Sequence, residues 1–166
     1  MFCGTFTGFY KFKAMIKFNY SIEGFRVKEA KLHKLWLDKL AQSYGGQVAE
    51  LVYVFMDDDE LLEMNKEYLN HDYYTDIITF DLRDTQGNSP VEGNIFISVD
   101  RVKENADNLG VDFKSELLRV MAHGLLHLLG FKDKTENEQL KMREAEDKAI
   151  ELFFQLKADS QNDIGG

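Results

Sequence analysis

The chain has 166 residues, 44% hydrophobic and 13% aromatic, which is the composition of a folded protein and not of a disordered one. Twenty basic against 29 acidic residues leave a formal charge of −9, which argues against broad electrostatic binding to nucleic acid but not against a local site that receives one phosphate. No apolar run is long enough to cross a bilayer, and the single cysteine, Cys3, cannot form an internal disulfide, so a membrane span is excluded and a reducing compartment is expected.

The first residues, Met1 to Ala14, are aromatic and without period. Lys11 and Lys13 follow the apolar part instead of preceding it, which does not fit a secretory signal. Residues 1–14 are therefore read as an N-terminal extension, with Met15 as the expected natural start. Met15 to Tyr20 alternates apolar and polar and predicts a strand. Lys28 to Tyr44 carries Leu32, Leu35, Trp36 and Leu40 at helical spacing, stopped by Gly45 and Gly46. Val48 to Met56 reads as a buried strand. Asp57, Asp58 and Asp59 open a helix that runs to about Leu69. Asp76 to Phe80 and Gly93 to Val99 predict two more strands, separated by the loop Thr85 to Pro90. A short helix ends at Gly110. Asp112 or Ser115 then caps a helix to about Leu129, and a charged helix spans about Thr135 to Leu156. Together these predict a single α+β domain over 15–157, with about four strands in a mixed sheet packed with helices, and a flexible tail over 158–166.

The chemistry concentrates at the end of the penultimate helix. His123 and His127 stand four apart in an apolar run, Gly130 ends the run, and Asp133 follows. Residues four apart share a helix face, so two imidazoles and a carboxylate can hold one divalent ion. That donor set suits one zinc per chain at about 2.0–2.2 Å, and three protein ligands leave a fourth position for water, as in catalytic sites. The bland alternative is that both histidines satisfy buried polar groups. Gly124 stands where zinc peptidases of the H-E-x-x-H type carry their glutamate base. Glu116, two turns before His123, is the one base candidate that spacing supports, or a partner for an imidazole. An ordinary surface glutamate is the alternative.

The block His123-Gly124-Leu125-Leu126-His127-Leu128-Leu129-Gly130-Phe131 resembles the YbeY family of bacterial zinc-dependent endoribonucleases. Leu62 to Phe80 (LEMNKEYLNHDYYTDIITF) is similar to the family's Leu-Asn helix, Lys-Asp pair and Thr-Asp-x-x-Ser-Phe strand. Glu92 to Ser98 (EGNIFIS) is similar to its Gly-Asp-Ile-x-Ile-Ser strand. The resemblance implies an α+β fold with zinc in a cleft, hydrolytic cleavage of RNA in ribosomal RNA maturation and ribosome quality control, ribosomal RNA or ribosomal particles as partners, and a cytoplasmic location.

The departures are specific. Asp133 stands for the family's third histidine, so the ligand set carries a negative charge and should make bound water less acidic. Leu69 stands for an arginine that could grip a phosphate, His71 for a lysine, and Asn94 for an aspartate. His71 is either a substrate contact or an exposed turn residue. Lys132 and Lys134 either offer local charge to RNA or are only solvated. His33 reads as a helix-boundary residue. The expected function is a zinc-dependent endoribonuclease with His123, His127 and Asp133 as ligands. The rivals are a metal hydrolase of another substrate class and a ribosome-assembly factor with a structural metal.

Overall fold

Alternating apolar and polar residues form β1, Met15–Tyr20, and the longer apolar run forms β2, Val48–Met56. Between them α1, Ala30–Ser43, buries Trp36, Leu37, Leu40 and Ala41 along one stripe. Asp57 caps α2, Asp58–Leu69, by accepting from the Glu60 amide, and acidic residues fill its first turn, where the helix dipole favours them. Then come β3 (Ile77–Asp81), β4 (Val91–Ser98), α3 (Val99–Leu109), α4 (Phe113–Leu128) and α5 (Glu136–Asn162). The computed structural model describes residues 13–84 and 90–165. The expectations for Cys3, for most of the N-terminal extension and for most of the Thr85 to Pro90 loop lie outside the described residues.

One boundary differs from expectation. Helix α5 continues to Asn162, beyond Leu156 and into the segment expected to be a flexible tail. No glycine or proline interrupts the chain until Gly165, and Lys157 is tied to Glu29, the residue before α1, at 3.1 Å.

The sheet has the order β1-β2-β4-β3, with β1, β2 and β4 parallel and β3 antiparallel to β4. Alternate residues of its strands serve two cores. Leu51, Tyr53, Phe55, Ile95 and Ile97 join the large core with α1, α4 and α5. Met56 and Ile78 join Leu61 in a smaller core with Val54, Met64, Phe80 and Phe96, on the side of α2. Burial on both faces explains why β2 reads as a nearly unbroken apolar run.

Helix α4 is buried almost all round. Gly124 faces the sheet at close range, since a Cβ there would stand 2.9 Å from Cδ1 of both Ile77 and Ile95. From the sheet side, a Cβ on Gly93 would stand 2.7 Å from Leu128 Cδ1 and 2.9 Å from the Phe80 carbonyl oxygen. Two missing side chains thus let the end of α4 settle on β3 and β4. Buried hydrogen bonds fix the helices further: Tyr53 Oη donates to the Met121 carbonyl at 2.7 Å, and Trp36 Nε1 donates to the Ala149 carbonyl at 2.7 Å.

Candidate metal centre

Helix α4 ends in a Schellman motif. Gly130 takes φ +102°, its amide donates to the His127 carbonyl at 3.0 Å, and the Phe131 amide donates to the Leu126 carbonyl at 3.0 Å. The turn does more than stop the helix. Its Phe131 carbonyl lies 3.0 Å from His127 Nδ1 and accepts the proton there. Two residues later Asp133 is held from the other side: Gln139 of α5 donates to its carbonyl at 3.1 Å, and the Thr135–Glu138 capping box starts α5 immediately after.

One turn earlier on α4, His123 Nδ1 lies 2.8 Å from Oε2 of Glu146, a residue of α5 that is 6% exposed. Arg119 Nη1 donates to Glu146 Oε1 at 3.0 Å, so the carboxylate is itself held. These acceptors select the tautomer with the proton on Nδ1 for both rings, which turns both Nε2 lone pairs inward. The two Nε2 atoms are 3.0 Å apart, and Asp133 Oδ2 lies 3.2 Å from that of His127 and 3.4 Å from that of His123. One donor atom from each of the three residues falls within 4.8 Å of the others. Lone pairs that converge this way repel one another unless a cation or a proton lies among them. Two imidazoles and a carboxylate therefore fit a divalent transition ion such as zinc. Burial disfavours the charged form of His123, but the Glu146 hydrogen bond and the charges of Glu146, Asp133 and Asp76 outweigh it and hold its pKa above the ordinary histidine value.

The three residues open onto a cleft of about 540 Å³ whose opposite wall is β3 and the chain leading into it, including Leu69, Thr75, Asp76, Thr79 and Asp81. Burial pushes the Asp76 carboxyl up, with His123 pulling the other way, and Asn105 Nδ2 of α3 donates to its Oδ2 at 3.2 Å. Asp81 is paired with Arg83 at 2.6 Å, and Arg83 also donates to the Leu128 carbonyl at 2.6 Å.

The structure brings His123, His127 and Asp133 together, while the other expected residues lie elsewhere. Glu116 is 6% exposed in the first turn of α4 and does not line the cleft. Burial raises its carboxyl, helped by the charges of Asp76 and Glu146. His71 is exposed, with its ring against Tyr73, and Lys132 is exposed beside Glu138 and Lys141 in a separate hollow. His33 is buried against Trp36 and Phe153. Gly124 faces the sheet, so the position after His123 does not present a side chain to the cleft.

Two further carboxylates belong to this site. In the sequence Asp76 reads only as the start of a strand. Glu146 does leave a signal: it interrupts the buried stripe Met142, Ala145, Ala149, Phe153 of α5, where a charge needs a partner.

The family profile of Endoribonuclease YbeY matches residues 18–153. A Flavobacterium psychrophilum protein named Endoribonuclease YbeY is 45% identical over 139 residues, which cover 84% of this chain and 96% of that one. A Cytophaga hutchinsonii protein of the same name is 50% identical over 119 residues, covering 72% of this chain and 82% of the relative. A Thermotoga maritima protein solved in solution superposes with a TM-score of 0.59 at 27% identity, over 88% of this chain and 93% of its own.

Proposed function

The chain belongs to the YbeY family of endoribonucleases, and from that premise we propose that it hydrolyses ribosomal RNA using a zinc ion held by His123, His127 and Asp133. The observation that carries the metal assignment is the convergence of two inward lone pairs and a carboxylate oxygen, with the imidazoles fixed from behind by Glu146 and the Phe131 carbonyl and the backbone of Asp133 held by Gln139. Zinc at that point supplies Lewis-acid polarisation of a phosphoryl oxygen and makes a water a better nucleophile.

The chain's own side chains do the rest. Glu146 and the Phe131 carbonyl keep the imidazole protons on Nδ1, so neither ring turns a proton toward the cleft. Asp76 lines the same cleft with a carboxyl that burial makes more basic, and it accepts the proton of the attacking water at Oδ1 while Asn105 occupies Oδ2. This gives the base role to Asp76 in preference to Glu116, which lies outside the cleft. Among the described residues no helix is long and apolar enough to cross a membrane. Work on ribosomal RNA in the cytoplasm also suits a chain with one cysteine.

Asp76→Asn tests the reading. The variant should retain zinc but lose roughly a hundredfold or more in cleavage rate, the contribution of a general base. The metal-free variant should also melt at higher temperature. A carboxyl whose folded pKa is raised contributes stability below its unfolded pKa and loses it as pH rises through the folded one, so at neutral pH the buried charge is a cost that Asn removes. Unchanged cleavage would remove Asp76 from the mechanism. A wild type that holds zinc but never cleaves RNA would leave a ribosome-assembly factor with a structural metal.

A further inference from the structure

The cleft offers phosphate little positive charge. Its described lining residues include Asp76, Asp81 and Asp133 and no lysine or arginine. Arg83, next to that wall, is committed to Asp81 and to the Leu128 carbonyl. The whole chain carries −9. Beyond the metal itself, attraction for a polyanion has to come from something other than charge.

Aromatic surface is what the connection between α2 and β3, whose two ends line the cleft, provides. In the connection between α2 and β3, Tyr73 is 56% exposed and its ring lies against His71, with centroids 5.1 Å apart and planes 21° from parallel. Tyr73 Oη and His71 Nδ1 are 3.0 Å apart, which locks the pair as one slab. The connection is built and held. Asn65, 1% exposed, donates from Nδ2 to the Tyr73 carbonyl at 2.9 Å, its own carbonyl accepts the His71 amide at 3.1 Å, and Asn70 takes the left-handed conformation at φ 55°. A buried amide thus secures the backbone that displays two rings. The neighbouring Tyr74 is engaged elsewhere, donating to Asp59 and lying against Arg101. Both ends of the connection reach the cleft, through Leu69 before it and Thr75 and Asp76 after it.

We propose that the His71–Tyr73 slab is a nucleobase subsite: its exposed ring face stacks on an unpaired base adjacent to the phosphate at the metal centre. The proposal rests on the endoribonuclease reading. Stacking suits this cleft because every base has a π-face, so it supplies affinity without lysine or arginine and without a fixed sequence.

The experiment compares the zinc-loaded wild type, Tyr73→Ala and Tyr73→Trp on a short RNA carrying a single 2-aminopurine. Tyr73→Ala should raise KM roughly ten- to a hundredfold with kcat little changed, the span expected for one lost stack. The fluorescence change that marks stacking of the aminopurine should disappear with it. Tyr73→Trp should keep both, and the wild-type KM should respond only weakly to salt, because few phosphates are neutralised by side chains. Wild-type KM and fluorescence in Tyr73→Ala would overturn the subsite while leaving the endonuclease intact, and an equal loss in Tyr73→Trp would overturn it in favour of a role in the turn's own folding. A zinc-loaded wild type that cleaves no RNA would instead bring down the premise, and the subsite with it.

Discussion

At His123 the imidazole is oriented by a residue from another helix. Glu146 accepts a hydrogen bond from its Nδ1 at 2.8 Å while Arg119 holds the far carboxylate oxygen. Such outer partners fix ring orientation and raise ligand basicity. Glu146→Gln puts an amide N–H where an acceptor is needed by either His123 or Arg119, so zinc affinity should fall about 10–100-fold, read by competition with a chelator. An unchanged affinity would mean that the His123 ring is held by packing alone. The metal-free protein gives a second reading with a definite sign. Because His123 has a raised pKa, its contribution to stability is full below the ordinary histidine value of about 6.5 and is lost as pH rises through the folded value. Glu146→Gln should flatten that decline. The histidine pair and Asp133 were legible because one helix period and one glycine stop relate them. Glu146 was not, because only the packing of α5 on α4 brings it to the site, and no local spacing encodes that.

Helix α4 depends on close approach at its C-terminal end. Gly93 admits Leu128, the neighbour of the candidate ligand His127, against β4, and the Phe80 carbonyl closes the same space. Ala at 93 must displace backbone as well as a side chain, so Gly93→Ala should destabilise the fold by about 1–3 kcal/mol in urea unfolding. Wild-type stability would show that the sheet relaxes around the methyl. The sequence signals that succeeded at this scale were local ones: Asp57 opens α2, Asp112 of the pair Asp112 and Ser115 caps α4, and Gly110 and Gly130 are left-handed stops at real helix ends. The end of α5 is not legible because polar residues such as Asp159 and Ser160 look like a tail, yet Lys157 is anchored to Glu29 and the helix runs to Asn162 with no glycine or proline before Gly165. Gly124, which in the sequence only excluded a peptidase base, is explained by the Ile77 and Ile95 side chains beneath it.

Across the molecule, the site forms where three separately encoded pieces meet: the end of α4, the flank of α5 and the wall of β3. The α+β class followed from the order of strands and helices. The pairing of β3 as the antiparallel edge beside β4 did not, although it is what carries Asp76 and Thr75 to face the histidines. The acidic surface is also a whole-molecule property, and it sets the cleft apart from sites that attract RNA by charge alone. The central claim is that one metal ion at His123, His127 and Asp133 carries out RNA cleavage. It is tested most directly by measuring metal content and RNA cleavage together in purified wild type and His123→Ala. The prediction is about one zinc per wild-type chain with metal-dependent cleavage, and loss of both in the variant. Cleavage that persists in His123→Ala, or a wild type that takes up no zinc, would contradict it.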